Sequence, residues 1–181
     1  MKRKTSTLKK LTIMLAVILM FFGCYNLVWF VTKYHPYHEF CNDMQSIKVE
    51  EISKYYIKDD KYTYIVKMPA YLGFGGGFLN VSYSESPKIV LNEDGKKELL
   101  VDNANITLFA WPNFTKETEY GVMIVEGQTM TQLYINENLD YVPFDYETIA
   151  EISEHEQIIM NHYQQISELM NAMKKMWGEK L

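Results

Sequence analysis

Arginine is nearly absent from this chain. Arg3 is the only one, so every later position must supply positive charge through lysine. The guanidinium fork that grips phosphate bidentately is therefore missing from all but the extreme N-terminus. Residues 34–181 carry twelve lysines against all twenty-three acids, leaving −11, whereas residues 1–33 carry six basic residues and no acid. An acidic body without arginine cannot displace counterions from a polyanion, which excludes nucleic acid as a partner. The acid excess favours solubility and holds the body off anionic surfaces within a Debye length.

Cysteine is equally scarce, with Cys24 and Cys41 the only two. Cys24 lies inside an apolar run and Cys41 beyond it, so no disulfide is expected within the folded body. Roughly 148 residues after the run suffice for one core without covalent staples. Cys41 reads as a half-buried inert thiol, with pairing between chains as the other option. The sequence also lacks G-x-S-x-G, H-E-x-x-H, C-x-x-C and the calcium-loop pattern. Gly73-Phe74-Gly75-Gly76-Gly77-Phe78 has neither the third dinucleotide glycine nor a following Lys-Ser/Thr, and it opens a strand. It reads as a wide turn or bulge, with Tyr71, Phe74 and Phe78 as aromatic neighbours.

The N-terminus, by contrast, is explicit. Residues 1–10 form a basic tail with Lys2, Arg3, Lys4, Lys9 and Lys10, and residues 11–31 then run without a charge until Lys33. At 1.5 Å per residue this run spans about 31 Å, a bilayer's hydrocarbon thickness. A cleaved signal would need a shorter apolar core and small residues after it. Phe21-Phe22-Gly23-Cys24 partly matches a lipidation signal, but the residues after it stay apolar. An uncleaved signal-anchor is the reading, with membrane lipid as its partner. The basic tail places Met1 in the cytoplasm and the C-terminal body outside. Trp29, Phe30 and Tyr34 mark the outer interface.

Residues 32–45 read as a juxtamembrane linker and 46–181 as an extracytoplasmic α+β domain. Strands fill about 47–136. Tyr62, Tyr64, Val66 and Met68 alternate with Lys61, Thr63, Ile65 and Lys67, which predicts one apolar and one mostly polar strand face. Residues 47–57 precede it across a turn at Lys58-Asp59-Asp60, and 79–83, 89–91, 98–101, 104–111, 120–125 and 130–135 follow. Short links imply an antiparallel meander of seven or eight strands, with 120–125 central because both its faces are apolar. The 112–119 connection is a candidate working loop. Whether the sheet is open or closed into a barrel stays open.

From Asp145, a plausible cap, an amphipathic helix is expected over about 146–177. Ile149, Ile152, Ile159, Tyr163, Ile166, Met170, Met173 and Trp177 form its stripe, broken only at Glu156. At about 48 Å it is longer than a small sheet needs. Its C-terminal end, with Met170, Met173, Met176 and Trp177, is the candidate partner contact, because methionine makes adaptable surfaces; core packing is the rival reading.

Candidate ligand sets are thin. His35, His38 and Cys41 have types a metal accepts, but Pro36 interrupts them and no fourth ligand is near. His155 and His162 are about 10.5 Å apart along a helix, too far to share an ion. No metal or cofactor is expected. Asn80, Asn105 and Asn113 match the glycosylation pattern. Three functions fit: a tethered interaction module binding another envelope protein or itself, an apolar-ligand binder in a closed meander barrel, and a carboxylate hydrolase. The first is the leading expectation.

Overall fold

The structure is a computed structural model describing residues 2–42, 44–49, 52–71, 76–83, 88–91, 97–100, 106–112, 117–126, 129–178 and 181. It divides into two units, Met1–Pro36 and Tyr37–Leu181.

The first unit is helical: α1 (Lys2–Trp29), a π-helical turn (Phe30–Tyr34) and the start of α2 (His35–Glu39). The stretch Lys9–Glu39 is long and apolar enough to cross a membrane, and the apolar window within it is unburied. Its polar side chains turn inward on the backbone. Asn26 Nδ2 donates to the Phe22 carbonyl at 2.6 Å and Thr32 Oγ1 to that of Val28 at 2.7 Å. Apolar surroundings tolerate such groups only when they are satisfied locally. Trp29 and Phe30 both pack on Tyr34, with ring centroids 5.6 and 5.7 Å apart.

The second unit is a seven-stranded antiparallel sheet covered on one face by helices. Its strands are β1 (Gln45–Val49), β2 (Ile52–Lys58), β3 (Thr63–Lys67), β4 (Phe78–Ser82), β7 (Ile106–Trp111), β8 (Glu119–Glu126) and β9 (Thr129–Ile135), in the order β1-β2-β3-β4-β7-β8-β9. β5 (Lys88–Leu91) and β6 (Lys97–Leu100) form a separate two-stranded ribbon, so the meander skips from β4 to β7. β1 and β9 are the two edges, and the described strands form an open sheet rather than a closed barrel. The Asp59 turn explains the β2–β3 register: its carboxylate accepts from the backbone N–H of Lys61 and Tyr62 at 2.9 and 2.7 Å.

Tyr64, Val81, Leu108, Val122 and Leu133 form one buried row across β3, β4, β7, β8 and β9. Helix α4 (Tyr163–Trp177) lays Ile166, Leu169, Met170 and Met173 against this face, all buried. Each such side chain contributes about 1.5–3 kcal/mol by leaving water. Tyr37, Phe40 and Cys41 belong to the same core. The Tyr37 hydroxyl donates to the Gly77 carbonyl at 2.9 Å, and a Cβ at Gly77 would fall 2.7 Å from the Tyr37 ring. Glycine at 77 is what lets that ring approach the backbone.

Several sequence expectations change here. The 47–57 strand is two strands, β1 and β2, paired as a hairpin. The part of the linker from Tyr37 to Cys41 is folded, with Tyr37, Phe40 and Cys41 buried in the core and His38 and Glu39 exposed. The expected polar face of β3 is covered as well, with Thr63 and Ile65 buried. The central reading of 120–125 holds, since β8 pairs with β7 on one side and β9 on the other. The long helix is two, α3 (Ile149–Asn161) and α4, parted at His162, whose φ of −112° and ψ of 10° leave the helical region. Its cap is Thr148 rather than Asp145, because Thr148 and Glu151 exchange bonds as a capping box that Asp145 has no partner to make.

Candidate functional site

The end of α4 named as a candidate contact lies in the core instead. Met170, Met173 and Trp177 are buried, and Met176 is partly so. Trp177 packs edge-to-face on Tyr64 with centroids 5.7 Å apart. The two-helix arrangement brings the C-terminal half onto the sheet, while the N-terminal half buries Ile159 and leaves other apolar side chains outward. Ile149 is 87 % exposed, Met160 64 % and Tyr146, just before the helix, 79 %. Val142, Phe144 and Tyr163 are exposed too. Ile149 and Met160 are about three turns apart and so share a helix face.

A staple fixes the loop before α3. The Tyr141 hydroxyl lies 2.6 and 2.8 Å from the two Glu147 carboxylate oxygens, and His155 Nδ1 lies 3.0 Å from that hydroxyl and 3.1 Å from Glu147 Oε1. The Phe144 backbone N–H donates to the same carboxylate at 2.6 Å. The Tyr141 hydroxyl holds the Glu147 carboxyl below its ordinary range, assisted by the Phe144 N–H and by His155, and against a smaller opposing effect of burial. In turn, burial and Glu147 push the Tyr141 phenol well above its ordinary range. A tyrosine so raised stays a hydroxyl and donates; it is not poised as a base or nucleophile. His162 is engaged elsewhere, with Nε2 at 2.8 Å from Glu126 Oε1.

The sheet face opposite α4 carries an aromatic ladder. Ring centroids lie 5.5 Å apart for Phe78–Phe109, 5.8 Å for Phe109–Trp111, 5.5 Å for Trp111–Tyr134 and 5.4 Å for Tyr134–Phe144. Tyr146 stacks on Phe144 at 5.3 Å. Trp111 is on β7 and Tyr134 on β9, with β8 between them. They meet because β8 has Gly121 there: a Cβ at that position would fall 2.8 Å from the Trp111 ring. Phe78, Phe109, Trp111 and Tyr134 are each partly exposed. A groove of about 760 Å³ adjoins the ladder, lined among others by Glu117, Glu119, Tyr134, Ile135, Pro143 and Phe144.

Of the other sequence candidates, Cys41 is buried, its thiol 3.4 Å from the Tyr37 carbonyl and 3.7 Å from Met68 Sδ. Among the described residues, no three His, Cys, Asp or Glu side chains are grouped to hold a metal. Residues 72–75 of the glycine-rich turn, 113–116 of the candidate working loop, and Asn105 lie outside the described residues. The rest of that loop, Glu117 to Glu119, reaches the groove. Asn80 Oδ1 is buried in β4, a poor glycosylation acceptor. Sequence reading missed the ladder because its members come from three strands and a loop. The one signal it left was Gly121 amid apolar residues. No family model, no curated protein and no solved structure matches this chain.

Proposed function

We propose that this protein is a membrane-anchored interaction module, with a cytoplasmic N-terminus, one span, and an extracytoplasmic domain that binds another envelope protein. The reading rests chiefly on the exposed apolar side chains of one stretch of chain, from Val142 through Phe144, Tyr146 and Ile149 to Met160 and Tyr163. Isolated exposed apolar residues are ordinary, but a run of them from the loop before a capped helix to that helix's end is suited to docking. The staple of Tyr141, Glu147 and His155 supports this by holding the loop in place before any partner arrives, which lowers the ordering cost of association.

The test is photo-crosslinking in intact cells from a reactive residue at position 149, with position 173 as control. A discrete adduct from 149 and none from 173 is the expected result, with mass separating a partner protein from a second copy. Adducts from neither site, in folded protein, would remove the proposal. Protease added outside the cell should digest the domain; protection would reverse the orientation.

A further inference from the structure

From the ladder face we infer a second binding site, one that accepts an uncharged glycan built of pyranose rings. Four observations lead there. First, Phe109 and Trp111 stack within 10° of parallel, Tyr134 is tilted 33° from Trp111, and Phe78 and Phe144 meet the two ends edge-to-face, so the row offers ring faces and edges along one partly exposed strip. The C–H faces of a pyranose stack on the negative faces of such rings.

Second, two polar atoms beside the rings, an amide oxygen that accepts and a hydroxyl that both donates and accepts, have no partner. Asn80 pairs in register with Phe109, and its Oδ1 is buried without a hydrogen-bond partner; Ser82 Oγ, further along the same face, is likewise buried and unpartnered. Buried polar atoms left unpaired are costly and mark a place where water or a ligand belongs. Third, the groove at the other end of the ladder adds the carboxylates of Glu117 and Glu119. Thr118 donates to the Leu181 carbonyl at 2.8 Å, and the Asn136 amide is used within its own turn, so of the polar side chains there these two are committed while the two carboxylates stay open to a ligand. A polyol, whose hydroxyls both donate and accept, can pair with all of these groups.

Fourth, charge selects against ionic ligands of either sign. Lys67 Nζ sits 5.2 Å from the Phe78 ring at one end, and the two glutamates flank the other. A polyanion is repelled by the glutamates and a polycation by Lys67, whereas a neutral chain avoids both repulsions.

The experiment uses the full-length protein in lipid nanodiscs, free of sugar detergents. Neutral hexasaccharides of glucose, xylose, mannose and N-acetylglucosamine are titrated calorimetrically, beside oligogalacturonate, chitosan oligomers and a lysine-rich aromatic peptide. Saturable binding of at least one neutral hexasaccharide, about tenfold weaker in Trp111→Ala and largely kept in Trp111→Phe, is expected. Asn80→Ala should weaken it while leaving Trp111 stacking intact. Circular dichroism and melting confirm that each variant folds. Absence of binding by every neutral sugar overturns the inference, and so does preference for oligogalacturonate, the chitosan oligomers or the peptide. Neither outcome touches the crosslink from position 149, so the proposed protein contact stands or falls separately.

Discussion

The indole N–H of Trp177 donates to the backbone carbonyl of Phe40 at 3.2 Å, joining positions 137 residues apart. Phe40 also meets the Trp177 ring edge-to-face, with centroids 6.4 Å apart. The last helix and the first folded turn of the domain thus close the same core. Trp177→Ala should cost about 3–5 kcal/mol and Met173→Ala about 2–5 kcal/mol in chemical denaturation, as buried truncations do. Ile149→Ala should stay within about 0.5 kcal/mol of the parent. Comparable losses at positions 149 and 173 would mean that α3 is buried as deeply as α4.

Gly121→Ala should disturb the ladder from beneath. The new methyl meets the Trp111 ring at 2.8 Å and the Leu133 carbonyl at 3.1 Å, so the indole must move. A cost of about 1–3 kcal/mol is expected from overpacking. Tryptophan emission should shift to longer wavelength as Trp111 is pushed into water. Unchanged emission and stability would show that Trp111 does not rest on β8.

The capping box predicts a clear asymmetry between two neighbouring residues. Thr148→Ala removes the acceptor for the Glu151 N–H and should cost about 0.5–2 kcal/mol. Asp145→Ala should cost little, since Asp145 lies outside the helix in a turn. Amide hydrogen exchange in the first turn of α3 should rise in the first variant only. A rise in both would restore Asp145 as the cap.

Three carboxylates should make stability fall in acid. The Glu147 carboxyl is held down chiefly by Tyr141, and that of Glu168 by Lys61 and then Tyr83. Burial pushes the Asp59 carboxyl up, but the backbone N–H groups of Lys61 and Tyr62, with the Tyr64 hydroxyl, outweigh it and leave it lowered. The unfolded chain titrates such groups near pH 4, at about 4.3 for Glu and about 3.9 for Asp. Their stabilisation is therefore complete above that range and is lost as pH falls through the lower folded values. The denaturation midpoint should be level between about pH 5 and 7 and drop below about pH 4. Glu147→Gln should flatten part of that drop, and an unaltered acid limb would remove Glu147 from the account.

Much of the architecture was legible because it depends on local periodicity. Alternation at Tyr64 and Val66, the Asp59 turn and the stripe ending at Trp177 each reflect residues close in sequence. The apolar run from Leu11 to Val31 is likewise readable from composition and length alone. What failed was anything depending on what covers a surface. Thr63 and Ile65 look like a solvated face beside Lys61 and Lys67, yet they are buried.

Sequence by itself determined the membrane-length helix, the antiparallel strands, the amphipathic C-terminal segment and the acidic, arginine-free character of the body. Tertiary structure decided which end of that segment is core. His162 breaks the stripe into two helices, and α4 packs Met173 and Trp177 on the sheet while Ile149 faces outward. It also decided where the aromatic residues gather. Phe78, Phe109, Trp111 and Tyr134 converge only because β4, β7, β8 and β9 pair in this register and Gly121 leaves room between two of them. Periodicity fixes the face a side chain takes; only strand order and register fix which distant side chains share it.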